Sequence, residues 1–299
     1  MTFDVITMGR ISVDVYPQQV GVSLREVTSF GKFLGGSSTN VAVAAARYGR
    51  RVATITRTGE DPFGEYLHDA LRGFGVDDRW VTAVPGLPTP VTFCEIFPPD
   101  DFPLYFYRYP KAPDLEIRPD ELDYDAIRSA RVFWATVTGL SQEPSRSATL
   151  AALEAAQGIT VLDLDYRPMF WPSREEARKW VREALRHADV AVGNEDEWTT
   201  AGDVSVPFAI RKRGPKGVEA RRGDERVEVP PVPVEVVNGL GAGDAFGGAL
   251  CHGLLAGWPL EKMLRFANAA GAIVASRLAC ADAMPTEEEV DGLHAPADR

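Results

Sequence analysis

The sequence is poor in the residues that organise disulfide-stabilised and metal-dependent folds. Its three cysteines, Cys94, Cys251 and Cys280, lie far apart, and its four histidines show no spacing typical of metal ligands. This pattern argues against a disulfide framework and against a histidine-based metal site. The 299 residues must fold around an ordinary hydrophobic core, and they suffice for one large domain or a core domain with a small appendage.

Long apolar runs and an excess of positive charge are also missing. No stretch of about 18 apolar residues occurs, and the N-terminus has no basic segment before an apolar one. We therefore expect neither a membrane span nor a signal peptide, and we predict a cytoplasmic protein. The formal net charge is −11, which argues against nucleic acid as a partner. An anionic small molecule would need a local cluster of arginine or lysine.

Short apolar runs alternate with helical patterns along most of the chain. The strand-like runs are 3–8, 52–56, 132–136, 160–165 and 190–193. The helical patterns are 39–48, with Ser38 or Thr39 as the cap, 62–74, with Asp61 as the cap, 147–157 and 174–187. This alternation predicts an α/β fold in which helices cover both faces of a parallel sheet.

Two segments break this rhythm. Residues 13–34 and 90–110 are rich in aromatic and β-branched residues and in proline, and neither contains a helical pattern. We expect them to pair as a small antiparallel sheet beside the main sheet and to act as a lid. The alternative is a pair of long surface loops.

The most informative segment, residues 238–255, reads NGLGAGDAFGGALCHGLL and follows a strand-like run at 232–237. Gly241, Ala242 and Gly243 place unshielded backbone N–H groups at the start of a predicted helix, where an anion binds. Asp244 would repel that anion, but it suits a base that meets a hydroxyl beside a transferring phosphoryl group. A simple helix-capping aspartate is the alternative.

Two common nucleotide-binding motifs are missing from this segment. The Walker A pattern, which ends in Gly-Lys-Ser/Thr, does not occur in the sequence. Counting from Gly239 places Asp244 where a Rossmann fingerprint needs its last glycine, so a dinucleotide-dependent oxidoreductase is a remote alternative.

Four motifs, in this order along nearly the whole chain, resemble those of the PfkB, or ribokinase-like, carbohydrate kinases. They are Gly35-Gly36-Ser37-Ser38-Thr39-Asn40, Gly59-x-Asp61-x-x-Gly64, Asn194-x-x-Glu197 and Gly241-Ala242-Gly243-Asp244. The resemblance implies a single ribokinase-like domain over residues 1–299, built as a three-layer α/β/α sandwich with a mostly parallel sheet and a small β-sheet lid. It also implies an ATP-dependent sugar kinase.

The resemblance assigns the chemistry to the last two motifs. Asp244 would be the catalytic base, and the amides of Gly241, Ala242 and Gly243 would stabilise the transferring phosphoryl group. Asn194 and Glu197 would hold Mg²⁺ against the ATP phosphates through water, the alternative being ordinary loop residues.

The same resemblance places other residues around the two substrates. The sugar would be bound by Asp14, Gly35, Gly36 and Asn40. The nucleotide would contact Asn194, Lys212, Gly214, Gly217 and Asn268, although Asn268 is also typical of a polar residue packed between helices. Homodimers formed through the lid are common in the family, so we expect one here, and dependence on a monovalent cation stays open.

One segment departs from the family pattern. Family members fit a helix and a strand between the Asn-x-x-Glu motif and the turn at 212–217, yet only residues 198–211 are present here. Either this chain is trimmed at that point or residues are missing from the sequence.

Two arginines indicate the chemical class of the substrate. Tyr107 and Arg108 lie in the predicted lid, and Arg167 follows a predicted strand, where α/β sheets bind their ligands. Two guanidinium groups converging on one pocket would bind a carboxylate, so we predict a sugar acid. The alternative is that both arginines form structural ion pairs with neighbouring aspartates.

Longer runs refine the resemblance. Residues 8–14, 92–100 and 163–171 resemble the branch of the family in bacterial myo-inositol catabolism, which implies phosphorylation of 5-dehydro-2-deoxygluconate at its C6 hydroxyl. The alternatives are 2-dehydro-3-deoxygluconate and the neutral sugars of fructokinases and ribokinases. A sugar-sensing protein without activity is more remote, because Asp244 and its glycine loop are intact.

Overall fold

The computed structural model describes residues 2–294 and contains two β-sheets. Their strands, in chain order, are β1 (Val5–Met8), β2 (Ser12–Pro17), β3 (Phe30–Gly35), β4 (Val52–Gly59), β5 (Val76–Val84), β6 (Val91–Cys94), β7 (Leu104–Tyr107), β8 (Val132–Thr136), β9 (Ile159–Asp163), β10 (Val190–Asn194), β11 (Phe208–Lys212), β12 (Val218–Arg222) and β13 (Glu225–Val229).

Helices connect most of these strands. They are α1 (Ser37–Arg47), α2 (Pro62–Gly73), α3 (Tyr124–Ser129), α4 (Ser145–Ala155), α5 (Arg174–Leu185), α6 (Glu195–Ala201), α7 (Ala242–Leu255), α8 (Leu260–Ala275) and α9 (Glu287–His294). None of the helices within residues 2–294 has the length and apolar character that a membrane span requires.

The main sheet has nine strands in the order β13-β12-β11-β10-β9-β8-β1-β4-β5. Seven of them, from β11 to β5, run parallel, and β12 and β13 extend one edge as antiparallel strands. The predicted α/β sandwich with a mostly parallel sheet is therefore confirmed.

Strand β8 illustrates why helices cover both faces. Val132 and Trp134 point into a core shared with α1, α7 and α8, whereas Phe133 and Ala135 point into a core shared with α4 and α5. Because successive side chains of a strand face opposite sides, a strand whose first four residues are all apolar must be covered on both faces.

Helices α1 and α7 pack closely, and this packing has a consequence for the site. A Cβ atom added at Gly248 of α7 would lie 2.3 Å from the Cβ atom of Ala44 in α1, so only glycine permits this approach. The small residues that the sequence places along both helices therefore bring their N-terminal turns, with Asn40 and Asp244, next to each other.

The smaller sheet has the strand order β3-β2-β6-β7 and contains both segments that break the α/β rhythm. The β2–β3 and β6–β7 pairs are antiparallel, as expected, but the central β2–β6 pair is parallel. The predicted small antiparallel sheet is therefore present, with one parallel pair at its centre. Between β2 and β6 the chain forms β3 of the smaller sheet and then β4 and β5 of the main sheet. It enters the smaller sheet again as β6, which runs in the same direction as β2.

Two local expectations also differ from the structure. Residues 232–237 form no strand, because Pro231 and Pro233 lack the N–H groups that a sheet requires. Helix α1 is capped by Gly36 rather than by Ser38 or Thr39, and the Thr39 hydroxyl donates back to the Gly35 and Gly36 carbonyls. Asp61 caps α2 as predicted, through the amides of Phe63 and Gly64.

The short segment 198–211 still accommodates a helix and a strand. Helix α6 ends at Ala201, β11 begins at Phe208, and residues 202–207 join them. The Trp198 indole of α6 donates to the Ile210 carbonyl of β11 at 2.9 Å, which anchors the helix to the strand.

Candidate active site

A cavity of about 50 Å³ lies between the two sheets, at the carboxyl ends of the parallel strands. From the smaller sheet it is lined by Asp14, Tyr16, Thr92, Leu104 and Phe106. From the main layer it is lined by Arg10, Gly36, Ser37, Asn40, Arg167, Leu240, Gly241, Asp244 and Cys280. Most of the residues predicted for sugar binding and the predicted base thus meet in one place.

Asp244 occupies the first turn of α7 and points toward α1. Its Oδ2 accepts a hydrogen bond from Asn40 Nδ2 at 2.8 Å. Burial raises the pKa of Asp244 to about 6, although the Asn40 hydrogen bond and the charges of Arg10 and Lys212 oppose this rise. The carboxylate is therefore a stronger base than an ordinary aspartate and is still ionised at neutral pH.

The N-terminus of α7 provides the predicted anion site. Gly241 is the N-cap residue with φ of 80°, and a Cβ atom there would lie 2.6 Å from Cys280 Sγ, so both conformation and space require glycine. The amides of Ala242 and Gly243 occupy the first two helical positions, which have no acceptor within a helix. These donors and the helix dipole suit a phosphoryl group.

Lys212 approaches the same site from the end of β11. Its Nζ lies 3.0 Å from the position that a Cβ atom on Gly243 would take. Although burial lowers the pKa of Lys212, the surrounding carboxylates, Asp163 first, raise it above its ordinary value. The ammonium group therefore stays charged beside the N-terminus of α7.

Asp165 joins several side chains on one wall of the cavity. Its Oδ2 accepts hydrogen bonds from Ser37 Oγ at 2.7 Å and Thr138 Oγ1 at 3.3 Å. It also forms ion pairs with Arg10 at 3.3 Å and Arg167 at 2.7 Å. Burial raises the pKa of Asp165, but the two guanidinium charges outweigh burial and hold it well below its ordinary value.

Asp14 faces the cavity from β2. Its carboxylate accepts hydrogen bonds from Ser12 Oγ at 2.9 Å and Tyr16 OH at 2.8 Å. A Cβ atom at Gly35 would lie 2.0 Å from the Asp14 carboxyl group, so the glycine leaves the space that this side chain occupies. Gly36 has φ of 105° and passes close to the Arg10 carbonyl, which explains the paired glycines of the motif.

Three residues predicted for sugar binding do not line this cavity: Gly35, which lies behind Asp14, and Tyr107 and Arg108, which are farther away. The Tyr107 side chain is 63% exposed on the outer face of the smaller sheet. Arg108 is buried against Asp114, with an Nη2–Oδ2 distance of 2.8 Å, and borders a separate cavity of about 270 Å³. Arg108 therefore forms a structural ion pair with a neighbouring aspartate, which was the alternative to carboxylate binding.

Asn194 and Glu197 form a capping box at the start of α6. Asn194 Oδ1 accepts from the Glu197 amide at 2.9 Å, and Glu197 Oε2 accepts from the Asn194 amide at 2.7 Å. No cluster of three or more acidic, histidine or cysteine side chains within residues 2–294 could hold a metal alone. Glu197 Oε1 lies outside the cap, 3.9 Å from Arg167 Nη1. Because Mg²⁺ on nucleotide phosphates keeps several waters, a water-mediated contact with Glu197 fits.

The remaining nucleotide residues are more dispersed. Gly214 and Gly217 shape the turn between β11 and β12. Asn268 of α8 donates from Nδ2 to the Pro230 carbonyl at 2.8 Å, so part of its amide serves packing against the segment after β13.

Sequence reasoning missed Arg10, Asp165 and Thr138 as individual site residues. Arg10 and Asp165 lie in runs that were noted for their family resemblance, 8–14 and 163–171. Their position just after β1 and β9, at the carboxyl edge of the sheet, was the signal that could have identified them.

Comparison with known proteins gives consistent results. A family model described as "pfkB family carbohydrate kinase" matches residues 2–287. The 5-dehydro-2-deoxygluconokinases of Shouchella clausii and Geobacillus thermodenitrificans are 32% and 31% identical, covering 97% and 96% of this chain and 95% and 92% of theirs. A solved sugar kinase of Pyrococcus horikoshii in complex with ATP is 25% identical with a TM-score of 0.85, covering 97% of this chain and 99% of that one.

Proposed function

The chain belongs to the pfkB family of carbohydrate kinases and is an ATP-dependent sugar kinase, and we propose that it phosphorylates 5-dehydro-2-deoxygluconate at the terminal C6 hydroxyl. The curated relatives that carry this activity in their names match nearly the full length of the chain. The observation that carries the chemistry is Asp244, a carboxylate of raised pKa beside the α7 N-terminus.

Phosphoryl transfer follows from the arrangement of these groups. Asp14 and Asn40 hold sugar hydroxyls, and Asp244 accepts the proton of the C6 hydroxyl as its oxygen attacks the γ-phosphorus of ATP. The bond from that phosphorus to the β–γ bridging oxygen breaks, and ADP leaves. The amides at Gly241, Ala242 and Gly243, together with Lys212, bind the negative charge that develops on the transferring group. When bound, Mg²⁺ neutralises phosphate charge, and Glu197 and Asn194 hold it through water.

The smaller sheet serves as a lid in this proposal. A cavity of about 50 Å³ has room for a few water molecules but not for a six-carbon sugar acid. Leu104 and Phe106 of β7 close it from one side. Substrate entry therefore requires these strands to move away from the main layer. A requirement for ATP agrees with a cytoplasmic location.

The outer face of the smaller sheet supports a homodimer. Phe30, Phe93 and Tyr107 form a continuous row of rings, with centroids 5.8 and 5.5 Å apart. Phe30 and Tyr107 are 39% and 63% exposed. An aromatic face of this kind on a sheet is typical of a surface that another protein covers, and we propose a second copy of this chain.

The substrate is tested by following ATP consumption with a panel of acceptors. The panel contains 5-dehydro-2-deoxygluconate, 2-dehydro-3-deoxygluconate, fructose and ribose. We expect the highest kcat/KM for the first. A higher value for 2-dehydro-3-deoxygluconate would reassign the sugar acid, and a higher value for fructose or ribose would contradict a sugar-acid substrate altogether.

A further inference from the structure

We propose that the carboxylate of the sugar acid is bound by Arg10 and Arg167, both oriented by Asp165, and not by Arg108. This inference rests on the proposed function, because it assumes that the substrate carries a carboxylate. It adds Arg10 as a residue that determines substrate specificity.

Arg10 and Arg167 are the arginines that line the cavity containing Asp244. Arg10 Nη2 pairs with one oxygen of Asp165 and Arg167 Nη2 pairs with the other, at 3.3 and 2.7 Å. The two guanidinium groups are thus held side by side on a single carboxylate. Ser37 and Thr138 donate to the same aspartate and restrict its rotation.

Both arginines keep donors for a further acceptor. The Nε atoms of Arg10 and Arg167 are buried and have no hydrogen-bond partner among residues 2–294. The Arg10 side chain is only 9% exposed, so solvent does not satisfy it. A buried guanidinium donor without an acceptor costs free energy, and a substrate carboxylate would remove that cost.

Carboxylates of the protein already surround the two arginines. Asp165 pairs with both, Glu197 Oε1 lies 3.9 Å from Arg167 Nη1, and the charges of Asp244 and Asp14 also act on Arg10. The geometry of the donors, and not an excess of positive charge, therefore favours a substrate carboxylate. A guanidinium fork binds a carboxylate through two hydrogen bonds, and the Nε donors are available for such a contact.

Arg108 is kept from this wall by two aromatic rings. The Arg10 guanidinium lies 5.6 Å from the centroid of the Phe106 ring, which contacts the Phe170 ring at 5.0 Å. Arg108 lies 5.0 Å from the centroid of that second ring. Its own partner, Asp114, is only 1% exposed, so Arg108 neutralises a buried charge that would otherwise be unpaired.

The test compares four arginine-to-methionine variants, which lose the charge and keep most of the bulk. For R10M and R167M we expect the KM for 5-dehydro-2-deoxygluconate to rise about 10- to 100-fold, with the KM for ATP unchanged. R108M tests whether Arg108, and not Arg10, binds the carboxylate together with Arg167. Its KM for the sugar acid should stay within about twofold of the wild type. R128M, a surface substitution on α3, controls for the loss of any arginine.

A merely structural role for Arg10 predicts a different pattern. In that case R10M would weaken sugar acid and ATP alike, or lower kcat without a selective change in KM. R10K keeps the charge but not the fork, so we expect a smaller rise in KM than for R10M. If R10M fails to fold, R10K and the more exposed R167M carry the test.

The outcomes distinguish an error in the proposed carboxylate site, Arg10 and Arg167, which we call the clamp, from an error in the proposed substrate. If the sugar acid is the preferred substrate but R108M raises its KM while R10M does not, the clamp is wrong and the substrate stands. If the wild type prefers neutral sugars, the proposed substrate is wrong and the clamp falls with it. A selective KM increase in R10M and R167M supports both.

Discussion

At the scale of single residues, Asp244 combines two properties that a general base needs. It lies in the first turn of α7, where the proposed mechanism brings the sugar hydroxyl to the phosphoryl group, and burial raises its pKa to about 6. In D244N the side chain keeps its size but loses that affinity. We expect kcat to fall by about 10² or more, since general-base catalysis contributes about 10²–10⁴. Calorimetric titration with ATP checks that nucleotide binding survives; near-normal turnover would contradict the assigned role.

The pKa of Asp244 sets a limit on activity at low pH. Burial raises this pKa to about 6, and the carboxylate accepts a proton only in its ionised form. We therefore expect kcat/KM to fall tenfold per pH unit below about pH 6. The measurement is a pH profile of kcat/KM between pH 5 and 8. A flat profile over that range would assign the proton transfer to another group.

At the scale of elements, the start of α6 is stabilised by a capping box, and its two residues are also the proposed holders of Mg²⁺. Asn194 caps the helix, and we propose that it also holds Mg²⁺ through water. Serine is an equally good cap, so N194S should keep the unfolding temperature, whereas N194A should lose roughly 1 kcal/mol of stability.

The same pair of variants separates the two roles of Asn194. If its amide assists Mg²⁺, N194S should need several-fold more Mg²⁺ for half-maximal velocity despite normal stability. If Asn194 is only a cap, the Mg²⁺ dependence of N194S should match that of the wild type. Thermal unfolding and Mg²⁺ titrations of initial velocity give the two readouts.

The elements that the sequence predicted best are those with short-range causes. Apolar runs predicted the strands from β8 to β10 within about two residues, and the Asp-Pro pair at 61–62 predicted the start of α2. The run 232–237 misled because its valines suit a strand, whereas Pro233 and the preceding Pro231 cannot donate hydrogen bonds to one. Strand direction in the smaller sheet depends on the path through the main sheet, which local patterns do not encode.

The site was predictable where a motif holds its residues close together in sequence. The loop 241–244 was identified correctly as the start of a helix, and the family resemblance is confirmed by the match over residues 2–287. The sequence could not show which of Arg108 and Arg10 lies in the cavity. Arg108 follows β7 and Arg10 follows β1, and both strands end near the cavity. The rings of Phe106 and Phe170, which separate them, come from distant segments.

At the scale of the whole molecule, we expect a homodimer through the smaller sheet. Each chain has a mass of 32.6 kDa, so sedimentation should give about twice that value. The double variant F30K/Y107K places two charges on the aromatic face and should shift the protein to monomer. L293K, at an apolar position of α9 that is 40% exposed and belongs to neither sheet, is the control. A monomeric wild type at micromolar concentration would contradict the proposed dimer.

The small cavity beside Asp244 affects whether water can replace the sugar hydroxyl as the nucleophile. A space of about 50 Å³ already admits a few water molecules, and Asp244 could accept a proton from water as well as from a sugar. The rate of ATP hydrolysis without a sugar would then depend on how well the γ-phosphate reaches such a water while β6 and β7 are closed. The interval between successive openings of β6 and β7 would likewise limit turnover once chemistry is fast. In the proposed lid, tight closure would protect ATP from hydrolysis at the cost of slower turnover.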